Sequence, residues 1–422
     1  MSNPIRNRQL LTFAVSWIAY ASTYLLRKPL GVIKSDLTSS HSLSKTDLGW
    51  LDTALLFPYA IMQMLLGNLG DKYGARKILA ANLVMSALSM VTFGFWRSLY
   101  VMAFLLFANG AAQATCWPNC VRAISSWYTD EQKATIFGIW GTCTFAGGLM
   151  GTALAVQLQS RFAPDLRLVF LVPSIIVFAV GIIVYLFLYM PEELDMEIPG
   201  KDLQKTVIGK KVLSDKQLTF FQLWKVKMLP ELAWTTFLMK LVRYCLYMWL
   251  PFYLFQNLGY SKVMAGALST AFEIGGVAGS ASLGFLMDRL LGHGKTHWGV
   301  VIALFGSTIA LVLFQVTSRW GWLFNVTFMF IAGVCNCGPD AFVSGSIAAE
   351  LGERENAQSA VSGFINGFGS VGTIMEGPIV GFIAEHYGWE STFYVMIVLS
   401  LMSVVTMLRA ARLNDRLRQN VF

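Results

Sequence analysis

The sequence predicts an all-α membrane protein with twelve transmembrane helices arranged as two related six-helix halves. Three observations carry that prediction: an apolar composition, apolar runs that recur along the whole chain, and a constant offset that relates one half to the other. Of 422 residues, 55% are hydrophobic and only 13% charged, with a mean hydropathy of +0.56. A soluble domain carries about 25% charged residues. In lipid, a segment of about 20 apolar residues must be a helix, because only a helix pairs all of its own backbone groups.

Apolar runs between charged or Gly/Pro-rich breaks place spans near 9–33, 47–70, 77–96, 99–126, 134–159 and 166–190, then 229–257, 263–287, 297–317, 320–349, 357–384 and 388–410. This divides the chain into a first half at 1–190, a polar linker at 191–228 and a second half at 229–422. The linker ends in the amphipathic LTFFQLWKVKM, which is expected to lie on a membrane surface. Arg6 and Arg8 precede an apolar run without a small-residue cleavage site, so that run reads as the first span.

The lysines and arginines test the count, because short cytoplasmic loops hold the excess. With both termini inside, inner loops hold 20 of the 32, outer loops hold seven, and five remain in spans: Arg27, Lys28, Arg122, Lys240 and Arg243. The +8 net charge is thereby accounted for without nucleic acid, whose basic surfaces are not dispersed over membrane loops. The six cysteines fall in spans with no histidine at ligand spacing, so no metal or cofactor is expected. Asn325-Val-Thr327 is a glycosylation sequon inside a span and is expected to be inert.

The halves repeat. Gly67-Asn-Leu-Gly-Asp71-Lys72 recurs as Gly284-Phe-Leu-Met-Asp288-Arg289, and Leu51-Asp-Thr53-Ala54 as Leu268-Ser-Thr270-Ala271, both 217 residues on. Leu26-Arg27 aligns with Val242-Arg243 at an offset of 216. Such a repeat predicts a pseudo-twofold axis with a transport site at mid-membrane between the halves.

An arginine at the bilayer centre costs about 2.5 to 3.5 kcal/mol on insertion scales unless it faces water or a partner. Arg27 and Arg243 therefore read as functional, although snorkelling to the outer surface is the plain alternative for Arg27 and Lys28. Tyr20, Tyr24, Arg27 and Lys28 share one helical stripe, and Lys240, Arg243, Tyr244 and Tyr247 another. Cations beside phenols suit a hydrophilic phosphate: guanidinium forks bind its oxygens bidentately, lysine adds a point charge and tyrosine hydroxyls bond oxygen. Ordinary packing explains the tyrosines equally well. Two arginines balance a phosphate monoester of charge about −1.5 to −2. An empty site would hold unpaired positive charge, which favours obligatory exchange of phosphate compounds.

Among the acids, Asp71 and Asp288 sit at helix ends in cytoplasmic loops and read as a structural or gating latch. Asp52 and Glu273 lie in the second helix of each half, and either orient cations or line a cavity. Asp340, after Gly338-Pro339, and Glu376, before Gly377-Pro378, are proton carriers or partners for Lys28 and Lys240. No nucleophile, base and orienting acid assemble from these residues, so an enzyme is not expected.

These residues resemble the organophosphate:phosphate antiporter family of the major facilitator superfamily, most closely its sugar-phosphate exchangers; glycerol-3-phosphate and hexose-phosphate transporters belong to it. The stretches that carry the resemblance are STYLLRKPLGVIKSDL, GNLGDKYGARK, CWPNC at Cys116–Cys120, KLVRYCLYMWLPFYL and EIGGVAGSASLGFLMDR. The resemblance implies that Arg27 and Arg243 are the paired phosphate-binding arginines, that Lys28 accompanies the first, and that Trp117 and Pro118 are the family's Trp-Pro motif. It also matches Glu273 to an acid of the eighth span. Three departures stand out: Thr144 replaces a histidine of glycerol-3-phosphate transporters, Asp340 follows the glycine-proline element, and Glu376 is unusual.

The resemblance implies exchange of a phosphorylated sugar, such as glucose-6-phosphate, or of glycerol-3-phosphate for inorganic phosphate, by a monomer in the bilayer. The expected location is the endoplasmic reticulum or the plasma or inner membrane. A proton-coupled organic anion symporter and a sugar-phosphate sensor without net transport are the alternatives.

Overall fold

The computed structural model describes residues 4–33, 37, 45–162, 165–199, 218–291 and 295–419. The linker residues 200–217, with five of its lysines, lie outside them, as do His41 and His293 and the side chain of Asp288. The described residues hold helices and turns and no strand. The long helices are α1 Pro4–Val32, α2 Lys45–Leu66, α3 Ala75–Phe95, α4 Leu99–Trp127, α5 Asp130–Phe162 and α6 Arg167–Phe187. They continue as α7 Leu229–Gln256, α8 Lys262–Leu291, α9 Thr296–Thr317, α10 Trp322–Arg354, α11 358–387 and α12 389–419. Gly388, with φ of 79°, separates the last two. Nine of the described helices are long and apolar enough to cross a membrane. α7 and α11 are comparably long, and carry Lys240 with Arg243 and Glu376 respectively.

The chain forms an all-α membrane protein of twelve helices, as composition and periodicity predict. The detail departs from uniform spans in several places, two of which bear on the site. α4 is broken by a turn at Ala114–Thr115, ahead of the Trp117-Pro118 pair, where proline lacks the N–H that a continuing helix needs. α10 passes through a π-helical stretch, Phe342–Ile347, just after Pro339 and Asp340.

By contacts the residues gather into two compact units. The first comprises Met1–Thr129, Cys143–Phe220 and Ala349–Gly367; the second comprises Asp130–Thr142, Phe221–Ala348 and Phe368–Phe422. Within the first, Phe93 packs at a tilt against Phe170, centroids 4.4 Å apart, between α3 and α6, and Leu79, Leu83 and Leu106 are buried. Within the second, Tyr253, Phe314 and Phe393 cluster with centroids 4.4 to 6.0 Å apart, joining α7, α9 and α12. The amphipathic end of the linker forms one helical turn, Phe220–Leu223. It docks more than the sequence suggests: Leu223, Val226 and Met228 are buried and Trp224 meets Phe368 edge-on at 5.4 Å.

Small residues bring the helices close enough to position the polar groups. A Cβ at Gly151 of α5 would lie 2.6 Å from the Tyr24 carbonyl oxygen and 3.2 Å from Lys28 Cβ, and one at Gly147 would lie 3.0 Å from the Tyr24 ring. These glycines let α5 lie directly on the polar stripe of α1. In the second unit Gly275, Gly279, Gly333 and Gly338 do the same for α8 and α10, where each Cβ would strike the backbone of the facing helix. Gly369 makes room for the Lys240 stem, whose Cδ would be 3.0 Å from a Cβ there.

Candidate functional site

Arg27 sits on α1 seven residues after Tyr20, so its side chain shares a face with Tyr20 and Tyr24. Its guanidinium carbon is 5.1 Å from the centre of the Tyr24 ring and 4.4 Å from that of Tyr59 on α2. Nε donates to Oε1 of Gln113 on α4. Gln113 is held by a buried network: its Nε2 donates to Ser86 Oγ at 2.9 Å and to Asn109 Oδ1 at 3.0 Å, while Ser86 Oγ donates to Asn109 Oδ1 at 2.6 Å. The amide is thus oriented with its oxygen toward the cation. Arg27 Nη2 is buried and has no hydrogen-bond partner among the described residues, and no described carboxylate pairs with the group. A cation in this setting is held by π faces, the Tyr59 hydroxyl and one amide oxygen, and Nη2 is left to spare.

Around it, Tyr20 is buried with its hydroxyl 3.4 Å from that of Tyr59, and Trp117 packs edge-on against Tyr20 at 4.9 Å. Trp117 therefore backs the stripe from α4. Lys28 is exposed on the neighbouring face, beside Gly148 and Gly151 of α5. Asp52 is half-buried on α2, seven residues from Tyr59 and on the same face.

In the second unit Arg243 is buried on α7 and fully engaged by α10. Nη1 donates to Asp340 Oδ2 at 2.8 Å, Nη2 to the Asn336 carbonyl at 3.2 Å, and Nε to Asn336 Oδ1 at 3.4 Å. Lys240 Nζ lies 3.9 Å from Asp340 Oδ1. One carboxylate thus serves two cations. Tyr244 and Tyr247 are half-buried and meet edge-on at 5.8 Å, and the Tyr247 hydroxyl lies 3.6 Å from Cys337 Sγ. Glu273 is exposed on α8.

The sequence left Asp340 and Glu376 as alternative partners for Lys28 and Lys240. The structure joins Asp340 to Lys240 and Arg243, whereas Glu376 is buried on α11 beside Cys245 and bonded by the Trp249 side chain. Asp71 meets neither a lysine nor a substrate group. It pairs with Arg122 Nη1 at 2.9 Å and accepts the backbone N–H groups of Ser359 at 3.1 Å and Ala360 at 2.9 Å, at the start of α11. Arg122 also donates to the Gly70 carbonyl at 2.5 Å. Lys72 lies over the Tyr73 ring instead, 5.1 Å from its centre.

Sequence reasoning passed over Tyr59, Gln113 and Asn336. Their signal was present: Asn109 and Gln113, four apart in α4, are uncharged polar residues inside an apolar span, as is Asn336 in α10. The sequon asparagine, Asn325, is buried and donates to Tyr260 Oη at 2.9 Å, consistent with an inert sequon. Among the described residues no group of His, Cys, Asp and Glu gathers as a metal site.

Residues 14–375 match the family model for the Major Facilitator Superfamily. A protein of Arabidopsis thaliana named for glycerol-3-phosphate transport is 28% identical over 96% of this chain and 91% of its own length. Mouse sugar phosphate exchanger 3 is 27% identical over 95% of this chain and 92% of its own. The crystal structure of the transporter FucP superposes with a TM-score of 0.69 at 13% identity, covering 96% of this chain and 98% of that one; it supports the fold alone. A chain whose described residues form helices, with Arg243 buried and Arg27 half-buried among them, and which a transporter family matches over most of its length, is a transporter and not an enzyme: it belongs to the Major Facilitator Superfamily.

Proposed function

We propose that this chain exchanges a phosphorylated sugar or glycerol phosphate for inorganic phosphate by alternating access. The observation that carries the reading is the state of Arg27. A guanidinium in a membrane-spanning helix has a buried donor with no hydrogen-bond partner, and no acid to neutralise it, among the described residues. That cost is tolerated where an anion arrives to complete the group. A phosphoryl oxygen has the charge and the acceptor geometry to do so. The names of the plant and mouse relatives, glycerol-3-phosphate transporter and sugar phosphate exchanger, support that substrate class.

In this reading Arg27 and Arg243 are the phosphate-binding groups of halves 1–190 and 229–422, related by the internal repeat. Lys28, Tyr24, Tyr244, Tyr247 and Trp117 contribute to binding. Asp71 with Asp288 form the latch, and Asp52, Glu273, Asp340, Glu376 and Lys240 tune charge and coupling. The chain works as a monomer with both termini cytoplasmic, in the endoplasmic reticulum or in a plasma or inner membrane.

Counterflow in liposomes tests the proposal. Labelled inorganic phosphate is taken up against unlabelled phosphate inside, and sugar phosphates and glycerol-3-phosphate are added as competitors. Exchange indifferent to a proton gradient supports it. Uptake driven only by external acid favours the second reading, a proton-coupled symporter, for which the Asp340 carboxylate between two cations is the specific observation. Binding without flux points to a sensor and overturns both.

A further inference from the structure

We propose that Asp340 is a resident counter-anion that occupies Arg243 in the absence of substrate, and that it allows the unloaded carrier to return, so that transport includes a net component alongside exchange. This rests on the phosphate-transport reading. It departs from the strict coupling that two unpaired arginines would impose.

The two arginines are not equivalent. Arg27 meets aromatic rings and an amide, with no described acid. Every nitrogen of the Arg243 guanidinium donates to α10, and the shortest of those bonds goes to a carboxylate oxygen. A carboxylate and a phosphoryl group offer a guanidinium the same thing: anionic oxygens spaced for its fork. Asp340 therefore competes with substrate for Nη1. It is not sealed away, since 20% of its side chain is exposed. Its Oδ1 accepts no hydrogen bond among the described residues, lying at 3.9 Å from Lys240 Nζ.

The described charges at this corner are Lys240 and Arg243 from α7 and Asp340 from α10. Tyr247 is the neighbouring phenol. Lys240, Arg243 and Asp340 together carry one net positive charge, where the two cations alone would carry two. Burying an unpaired charge is strongly unfavourable, whereas a paired one is tolerated. The carboxylate thus lowers the barrier that would otherwise keep an empty carrier from occluding. The backbone that presents it is interrupted: Pro339 lacks a donor, the helix widens to π geometry from Phe342, and Ser344 Oγ takes the Asp340 carbonyl at 2.7 Å. Such a segment has the freedom to move Asp340 off the arginine when phosphate binds.

The test uses the full chain in liposomes loaded with labelled inorganic phosphate, with the membrane potential clamped by potassium and valinomycin. Efflux is measured into medium with and without phosphate. The wild type is expected to release phosphate into phosphate-free medium at a rate within about tenfold of exchange, and Asp340→Asn to lower the ratio of free efflux to exchange about tenfold or more, equivalent to about 1.4 kcal/mol. Asp340→Asn is also expected to lower the half-saturating phosphate concentration, because the competitor is gone, and Asp340→Glu to keep the wild-type ratio. Exchange without free efflux in the wild type overturns the proposal, as does an unchanged ratio in Asp340→Asn. Should Asp340→Asn fail to fold, the wild-type efflux and the Asp340→Glu ratio decide. Absence of any phosphate or sugar-phosphate flux in the wild type overturns the transport reading itself, which distinguishes the two failures.

Discussion

The guanidinium carbon of Arg27 lies 4.4 Å from the centre of the Tyr59 ring, a contact between α1 and α2 that fixes the cation without neutralising it. An acid there would saturate the arginine, whereas a ring leaves its donors available to a ligand. Tyr59→Leu is expected to weaken phosphate binding by several-fold, in line with about 0.5 to 2 kcal/mol for a cation–π contact. Tyr59→Phe keeps the ring but removes the hydroxyl that meets Arg27 and Tyr20, and should lose less than Tyr59→Leu. Competition of unlabelled phosphate in counterflow measures both.

Arg27→Lys preserves the charge and removes the fork. A lysine cannot reach Gln113 and bind phosphate bidentately at once, so exchange is expected to fall about tenfold or more. An unchanged rate would show that charge alone suffices.

Gly151 lies where a Cβ would be 2.6 Å from the Tyr24 carbonyl oxygen. Gly151→Val should push α5 away from the Tyr24–Lys28 stripe and lower stability by about 1 to 3 kcal/mol, the usual range for overpacking. The thermal midpoint in detergent checks this; Gly148→Ala, whose Cβ would make an ordinary 3.5 Å contact with Lys28 Cε, is the control.

Asp71 caps α11 through two backbone N–H groups and pairs with Arg122. Asp71→Ala is expected to cost about 0.5 to 2 kcal/mol for the cap alone. In a double-mutant cycle with Arg122→Ala the two should couple by about 0.5 to 3 kcal/mol, the range for residues in contact. Additive effects would mean that the pair is incidental.

Tyr128, in the break between α4 and α5, is buried and donates its hydroxyl to the Gln9 carbonyl at 3.0 Å. Burial pushes that hydroxyl up to about 12 from an ordinary 10.0. A group raised on folding contributes stability below its unfolded value and loses it as pH climbs through the folded one. The wild-type midpoint should therefore fall between pH 10 and 12 more steeply than that of Tyr128→Phe.

What the sequence by itself determined was local and periodic. Apolar runs dictated the helices because lipid admits no unpaired backbone, and Arg27, Lys240 and Arg243 stood out because a charge in such a run is costly wherever its helix packs. What only the tertiary structure decided was which partner each charge met. Gln113 is 86 positions from Arg27 and Asp340 is 97 from Arg243, and no helical period relates residues on different helices. Helix packing chose the outcome: α4 brings Gln113 to α1, and α10 brings Asp340 to α7. One arginine was thereby left open beside tyrosine rings and the other closed on a carboxylate, a difference in long-range packing that the aligned positions Arg27 and Arg243 do not reveal.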